Sequence, residues 1–272
     1  AKCEELGITV YTTNAQGDMI KQIADVEDLL AKGIDLLILN PLDPKGLVPA
    51  TKFATEAGVP VIIIDSSIDE SADFVTTVQS NNLQNGELVG IWLAKQMKDE
   101  YMNIALISGT QGNPVGKERR QGVFRGILEE QLRMNNEASF EIVSQGWGNW
   151  AYEGGLNAME DILVAHPELN VLLTENDSMA LGAREALKEV NRLDDVLVLA
   201  AADGQKEALE LIQKGEYGAT GLNNPKLVAE TAVEIGLEYL KGKTDIPRVT
   251  YTKPVCITIE NVSEYYDPNA VF

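Results

Sequence analysis

Histidine occurs once and cysteine twice in this sequence, and each scarcity excludes a kind of chemistry. Acid–base catalysis by histidine would rest on His166 alone. That residue sits in Ala165-His166-Pro167, where proline stops a helix, so a structural role is expected. Cys3 and Cys256 lie far apart and form no CxxC pair, which argues against a zinc or redox site. One disulfide between them is geometrically conceivable; two ordinary buried thiols are the expected state. Basic charge is also short, with 22 Lys and Arg against 42 Asp and Glu and a formal net charge of −20. So acidic a surface repels phosphate backbones, and nucleic acid is not an expected partner. No run approaches the roughly 18–20 apolar residues that span a membrane. One apolar run, residues 59–64, contains Pro60 and reads as a buried strand. Low-complexity tracts and long charge blocks are missing too, which leaves no case for disorder. Enzyme signatures are equally absent: there is no GxSxG elbow, HExxH or GxxxxGK[ST]. Gly109-Thr110-Gln111-Gly112-Asn113 lacks the third glycine of a dinucleotide fingerprint. The pairs Glu129-Glu130 and Asp194-Asp195 read as solvated faces. No catalytic residue, cofactor or metal is expected.

What is present is a globular composition, 44% hydrophobic and 24% charged, in a chain of 272 residues that suits two α/β domains or one large one. Strand-like runs alternate with amphipathic helical segments. Residues 8–12 read as the first strand. Ile20, Ile23, Ala24, Val26, Leu29 and Leu30 then fall at helical spacing, and Gly33 follows as a C-cap. Residues 34–39 form a near-continuous apolar run, the mark of a parallel strand buried on both faces. A helix over about residues 46–57 and a strand over 59–64 complete the pattern, which implies parallel sheets with helical crossovers.

The pattern repeats. Val26-Glu27-Asp28-Leu29-Leu30 leads to a strand ending in Asn40, and Met159-Glu160-Asp161-Ile162-Leu163 leads to a strand ending in Asn176. The next strands end in Asp65 and Asp203. The three offsets, 133, 136 and 138 residues, are nearly constant and indicate two copies of one domain plan. The later copy is preceded by a strand at 104–108 and a helix at about 116–132. Residues 1–7 match only the tail of such a helix, so the first lobe is expected to lack its first strand and most of its first helix. The opening Ala-Lys-Cys-Glu-Glu-Leu-Gly shows no signal peptide; either a leader has been removed or there was none.

In open α/β sheets, ligands bind beyond the carboxyl ends of the strands. The polar residues there are Asn40 and Asp65 in the first copy, and Gly109 to Asn113, Asn176 and Asp203 in the second. Asn, Asp and Arg suit hydroxyl groups, since they offer paired donors or acceptors. Trp147 and Trp150 lie in a Gly/Asn-rich loop, where an aromatic ring can face the apolar side of a sugar. The alternative for each Asp and Asn is that it caps the helix or turn after its strand.

At these residues the sequence resembles the ribose-binding-protein family of periplasmic solute receptors, over nearly the whole chain. The matching segments are residues 22–41, 58–65, 116–123, 165–183 and 203–224, with Ala-His-Pro-Glu-Leu and Asn-Asp-Ser-Met-Ala-Leu-Gly-Ala the most specific. The resemblance implies an α/β fold of two similar doubly wound parallel-sheet lobes joined by a multi-strand hinge, the type I periplasmic binding protein. It implies hydroxyl binding by Asp65 and Asp203, a clamp by Arg119 (Arg120 if the register slips by one), and stacking by Trp150. Asn176 and Asn223 match amide positions of the site. Ser66 stands where an arginine often follows, and Ala202 replaces an aromatic, which together suggest a solute other than ribose. Crossings near residues 80–82, 223–224 and 253–256 would divide the chain into an N-terminal lobe, 1–80 with 224–254, and a C-terminal lobe, 81–223 with 255–272. The implied protein is a monomeric receptor of a carbohydrate ABC importer, capturing a monosaccharide or polyol by hinge closure. It would be periplasmic, or lipid-anchored outside a Gram-positive cell, and would deliver solute to membrane permease subunits. The alternative is the effector-binding core of a LacI-type transcription regulator without its DNA-binding headpiece, since those cores share the plan.

Overall fold

In the computed structural model, which describes residues 2–98 and 100–272, the chain alternates helix and strand almost throughout. Helices α1 (Lys2–Glu5) and α2 (Met19–Ala31) are followed by β1 (Leu37–Leu39), α3 (Val48–Glu56), β2 (Val61–Ile64) and β3 (Thr76–Ser80). Then come α4 (Asn82–Met97), β4 (Met102–Ser108), α5 (Pro114–Asn135), β5 (Phe140–Trp147), α6 (Tyr152–Ala165), β6 (Val171–Thr174), α7 (Asp177–Glu189), β7 (Leu197–Asp203), α8 (Lys206–Lys214) and β8 (Thr220–Leu222). The chain ends with α9 (Pro225–Leu240), β9 (Val249–Thr252), β10 (Cys256–Ile257) and a single 3-10 turn at Val262–Glu264. Two units result: unit 1 is Ala1–Ser80 with Pro225–Thr252, and unit 2 is Asn81–Asn224 with Lys253–Phe272. Asn224, Lys253 and Pro254 therefore belong to unit 2, not to the first lobe as the family resemblance implied.

Unit 1 has a four-stranded sheet in the order β1-β2-β3-β9, with every neighbouring pair parallel. Buried side chains of α2 and α3 join Leu37, Leu39, Val61 and Ile63 on one face. Ile62 and Val78 point the other way, against Val228 and Ala232 of α9. This two-sided burial explains the near-continuous apolar runs in β1 and β2. Residues 8–12, expected as a strand, are not one. Val10 and Tyr11 are 54% and 49% exposed, and the segment pairs with no strand of the sheet. An apolar alternation becomes a strand only where a neighbour takes up its backbone groups.

Unit 2 has a six-stranded sheet in the order β10-β8-β7-β6-β4-β5, parallel except for the antiparallel β10–β8 pair. Two apolar clusters fill its faces. One gathers Met159, Met179, Ala183, Leu209 and Ile212 from α6, α7 and α8. The other gathers Val89, Leu93, Val123 and Ile127 from α4 and α5. Among the described residues no helix is long and apolar enough to cross a membrane.

Helices α4 and α5 touch backbone to backbone through four glycines. A Cβ on Gly86 would lie 2.4 Å from the Arg119 carbonyl oxygen, and one on Gly90 would lie 2.1 Å from that of Val123. Reciprocally, Cβ atoms on Gly122 and Gly126 would lie 2.1 Å and 2.2 Å from the carbonyl oxygens of Leu83 and Glu87. The approach fixes the height at which α5 presents Arg119 to α4. Gly90→Ala should therefore force the helices apart, at a cost of about 1–3 kcal/mol for an overpacked contact. A lowered urea midpoint with an unchanged m-value would record it.

Candidate functional site

The carboxyl ends of β6 and β7 and the first turn of α4 converge on one arginine. Asn113 caps α5 by accepting from the Val115 and Gly116 amides, and the helix then delivers Arg119 on its second turn. Arg119 is only 4% exposed. Its Nε donates to Asn82 Oδ1 at 3.0 Å, its Nη1 donates to the Glu175 carbonyl at 2.8 Å, and its Nη2 lies 3.1 Å from Asp203 Oδ1. A guanidinium carries five N–H donors, so at least two remain. The guanidinium carbon also lies 5.7 Å from the centre of the Trp150 ring, within cation–π range.

Asp203 ends β7, where the register against β8 shifts between Ala200 and Asp203. Its Oδ1 forms an ion pair with Arg119 and accepts from Asn223 Nδ2 at 3.2 Å. The loop behind it is held by a residue that the sequence pattern did not single out. Asp177 is fully buried, and its Oδ2 accepts from three successive backbone amides, those of Asp203, Gly204 and Gln205. Its Oδ1 accepts from the buried Tyr217 hydroxyl at 2.8 Å. Burial, then the neighbouring Asp203 carboxylate, pushes the Asp177 carboxyl above the usual carboxylate range. Burial raises the Tyr217 phenol well above its ordinary value as well.

Trp150 is placed by its surroundings rather than by its own preference. It and Asn149 have φ of +65° and +50°, a region that costs a non-glycine residue about 1–3 kcal/mol. Asn176 Nδ2 donates to the Trp150 carbonyl at 3.2 Å, while Asn176 Oδ1 caps α7 by accepting from the Met179 amide at 3.1 Å. The ring lies over Gly109, where a Cβ would fall 2.1 Å from it. Arg120, one residue beyond the clamp, turns elsewhere: it pairs with Glu175 and lies 5.8 Å from the Trp147 ring centre. Glu175 Oε2 also accepts the Gly109 amide at 2.8 Å.

Unit 2 thus brings together Arg119, Trp150, Asn176, Asp203 and Asn223. Asp65 and Ser66 lie in unit 1, at the end of β2. Asp65 has φ +61°, and its amide donates to the Val78 carbonyl at 2.9 Å. Its Oδ2 accepts from Asn40 Nδ2 at 3.3 Å, and Asn40's own carbonyl accepts from the Gln22 side chain. Ser66 is half-buried, and its amide donates to the Ile64 carbonyl. Cys3 and Cys256 are free thiols. His166 lies at the end of α6 with its Nδ1 3.0 Å from Glu168. Asn82, Glu175, Asp177 and Tyr217 are the residues that sequence reasoning missed. Only Glu175 and Asp177 had a visible signal, flanking Asn176 at a strand end.

A fold of parallel α/β units with a clamped arginine, an aromatic plate and carboxylates at the strand ends is that of the type I periplasmic binding proteins. The chain matches the periplasmic binding protein domain over residues 1–244 and belongs to that family of solute-binding proteins. It is 33% identical over 242 residues to the ribose import binding protein RbsB of Bacillus subtilis, covering 89% of this chain and 75% of that one. It is also similar to a periplasmic solute-binding protein of an ABC transporter from Actinobacillus succinogenes, solved with bound D-allose. That match has a TM-score of 0.85 and 28% identity, covering 97% of this chain and 91% of the other. A solute-binding protein from Bacillus halodurans, solved with bound myo-inositol, matches with a TM-score of 0.79 and 27% identity, covering 97% and 88%.

Asp177→Asn replaces a carboxylate oxygen by an NH2 group facing either three amides or a phenol hydroxyl. The expected loss is about 1–3 kcal/mol, the cost of an unsatisfied buried polar group. Tyr217→Phe removes one donor and should cost about 1 kcal/mol. Both are read from urea unfolding, and equal, negligible effects would dismiss the anchoring role.

Proposed function

We propose that this chain is the solute-capturing receptor of a carbohydrate ABC importer and that it binds a monosaccharide or polyol without altering it. Arg119, Asp203, Asn223, Asn176 and Trp150 of unit 2 and Asp65 and Ser66 of unit 1 form the proposed binding set. The two units close on the solute by hinge motion, and the loaded protein is handed to membrane permease subunits. The protein works as a monomer in the periplasm, or tethered by lipid outside the membrane.

One observation carries this reading: the fixed Arg119–Asp203 pair beside Trp150. Arg119 keeps at least two N–H donors beyond its three protein contacts, and Asp203 keeps its second carboxylate oxygen as an acceptor. Donors and an acceptor side by side suit the neighbouring hydroxyls of a polyol, and the Trp150 indole is the proposed surface for ring C–H groups. The bound D-allose and myo-inositol of the similar structures are solutes of this chemistry. The regulator-core alternative gains no support from the relatives, which are solute-binding proteins.

A panel of pentoses, hexoses and inositols in a thermal-unfolding assay tests the proposal. A true ligand at 100 times its Kd should stabilise the protein by about 2.7 kcal/mol through mass action. Arg119→Ala should weaken binding at least about 30-fold, as expected when one partner of a buried, hydrogen-bonded charge pair is removed. A panel without a single shift would overturn the receptor reading.

A further inference from the structure

Unit 2 contains one buried amide that joins three separate stretches of chain. Asn85, on the first turns of α4, is 1% exposed. Its Nδ2 donates to the Leu222 carbonyl at 2.7 Å, and its Oδ1 accepts from the Val255 amide at 3.0 Å. Leu222 and Val255 also bond directly, the Leu222 amide donating to the Val255 carbonyl at 2.9 Å. The register of the β8–β10 pair, Cys256 opposite Gly221, puts Val255 opposite Leu222. A directly paired couple of this kind would exchange two N–H···O bonds. Here one is direct, and the Asn85 amide is inserted into the other, as a peptide group would be. Gly221 makes room for it: a Cβ there would lie 3.0 Å from the Asn85 Cβ.

The location gives the insertion its meaning. The chain passes between the units after Ser80, after Asn224 and after Thr252. Asn85 follows the first passage, Leu222 precedes the second, and Val255 follows the third. Leu222 is also the neighbour of Asn223, which bonds Asp203. We infer that Asn85 is a positioning residue that clasps the three crossing segments into one rigid footing on unit 2. Bending is thereby confined to the few residues of the crossings themselves, and Asn223 keeps its place as the units move. This inference rests on the receptor reading for its consequence in binding, but not for the clasp.

Asn85→Leu keeps size and burial and removes both hydrogen bonds; Asn85→Asp keeps the acceptor for Val255 and loses the donor to Leu222. Ile162→Val, a core change on the opposite face of the sheet, serves as a control for mere destabilisation. Native-state hydrogen exchange on the solute-free protein reads the clasp directly. Exchange at Val255 should accelerate at least about tenfold in Asn85→Leu, stay protected in Asn85→Asp, and not change in the control. Small-angle scattering of solute-free Asn85→Leu should show a broader spread of distances than the wild type. With a sugar or polyol found by the thermal panel, Asn85→Leu should weaken binding about 2- to 30-fold, the range for coupling residues that touch no ligand. Unchanged exchange at Val255 would sink the clasp. Faster exchange with scattering and affinity both like the control would reduce Asn85 to a structural residue and overturn its role in closure. If no panel member binds even the wild type, the receptor reading fails, while exchange and scattering still decide the clasp.

Discussion

The buried charge of Arg119 is the constraint around which unit 2 is arranged. A guanidinium removed from water costs several kcal/mol unless its donors are met and its charge is balanced. Three elements meet that cost together. Helix α4 supplies the Asn82 oxygen, the end of β6 supplies the Glu175 carbonyl, and the end of β7 supplies the Asp203 carboxylate. Each partner must then arrive at hydrogen-bonding distance. The glycine seam lets α4 approach α5 closely enough for Asn82 to reach. Asp177 pins the Asp203 turn by three amides, and so fixes the carboxylate that balances the charge. Arg120 cannot replace Arg119 here, because its guanidinium is already committed to the Glu175 side chain. Successive arginines on one helix are thus kept apart in role by binding the main chain and the side chain of a single residue.

The internal repeat shows how one residue type takes two jobs. Asn40 and Asn176 occupy matching strand ends. Helix α7 begins at Asp177, immediately after Asn176, so the Asn176 oxygen becomes its N-cap and the amide nitrogen holds Trp150. After Asn40 the chain meets Pro41, and α3 begins only at Val48. With no helix start to cap, Asn40 turns to Asp65 instead. The paired aspartates diverge similarly. Asp65 itself makes the left-handed turn after β2, whereas after β7 it is Gly204, at φ +87°, that does so and leaves Asp203 in the strand. A carboxylate inside the strand has a fixed direction, which suits it to an ion pair with Arg119.

Much of this was legible in the sequence, for identifiable reasons. The parallel sheets followed from apolar runs buried on both faces, and α2 followed from its 3.6-residue spacing. Asp203 and Asn176 could be named because strand ends are where such sheets place polar groups, whereas Arg119, inside α5, could be named only through the family resemblance. Residues 8–12 were misread because alternation records which side chains are apolar and not whether a neighbouring strand exists. Asn82 and Asn85 were out of reach. Their partners are Arg119, Leu222 and Val255, and no local pattern encodes pairings over such separations. The two GxxxG spacings, Gly86 to Gly90 and Gly122 to Gly126, were visible, yet only their reciprocal contact gives them meaning.

Trp150 shows why so much of unit 2 is spent on rigidity. Its backbone is held in a costly conformation, its carbonyl is tied to Asn176, one side of its ring lies against Gly109, and Arg119 stands within cation–π distance. Freezing an exposed side chain on binding costs about 0.5–1.5 kcal/mol. In this fold that ordering, and the desolvation of the clamp, are completed during folding, when the packing of the whole unit offsets them. A polyol has few apolar atoms and trades water hydrogen bonds for protein ones at little net gain. Useful affinity for such a molecule requires donors, acceptors and plate to be in place beforehand. With the binding roles proposed for them, the strain at Trp150 and the buried Arg119–Asp203 pair would be the same device: free energy taken from the stability of unit 2 and held ready for a solute that brings little of its own.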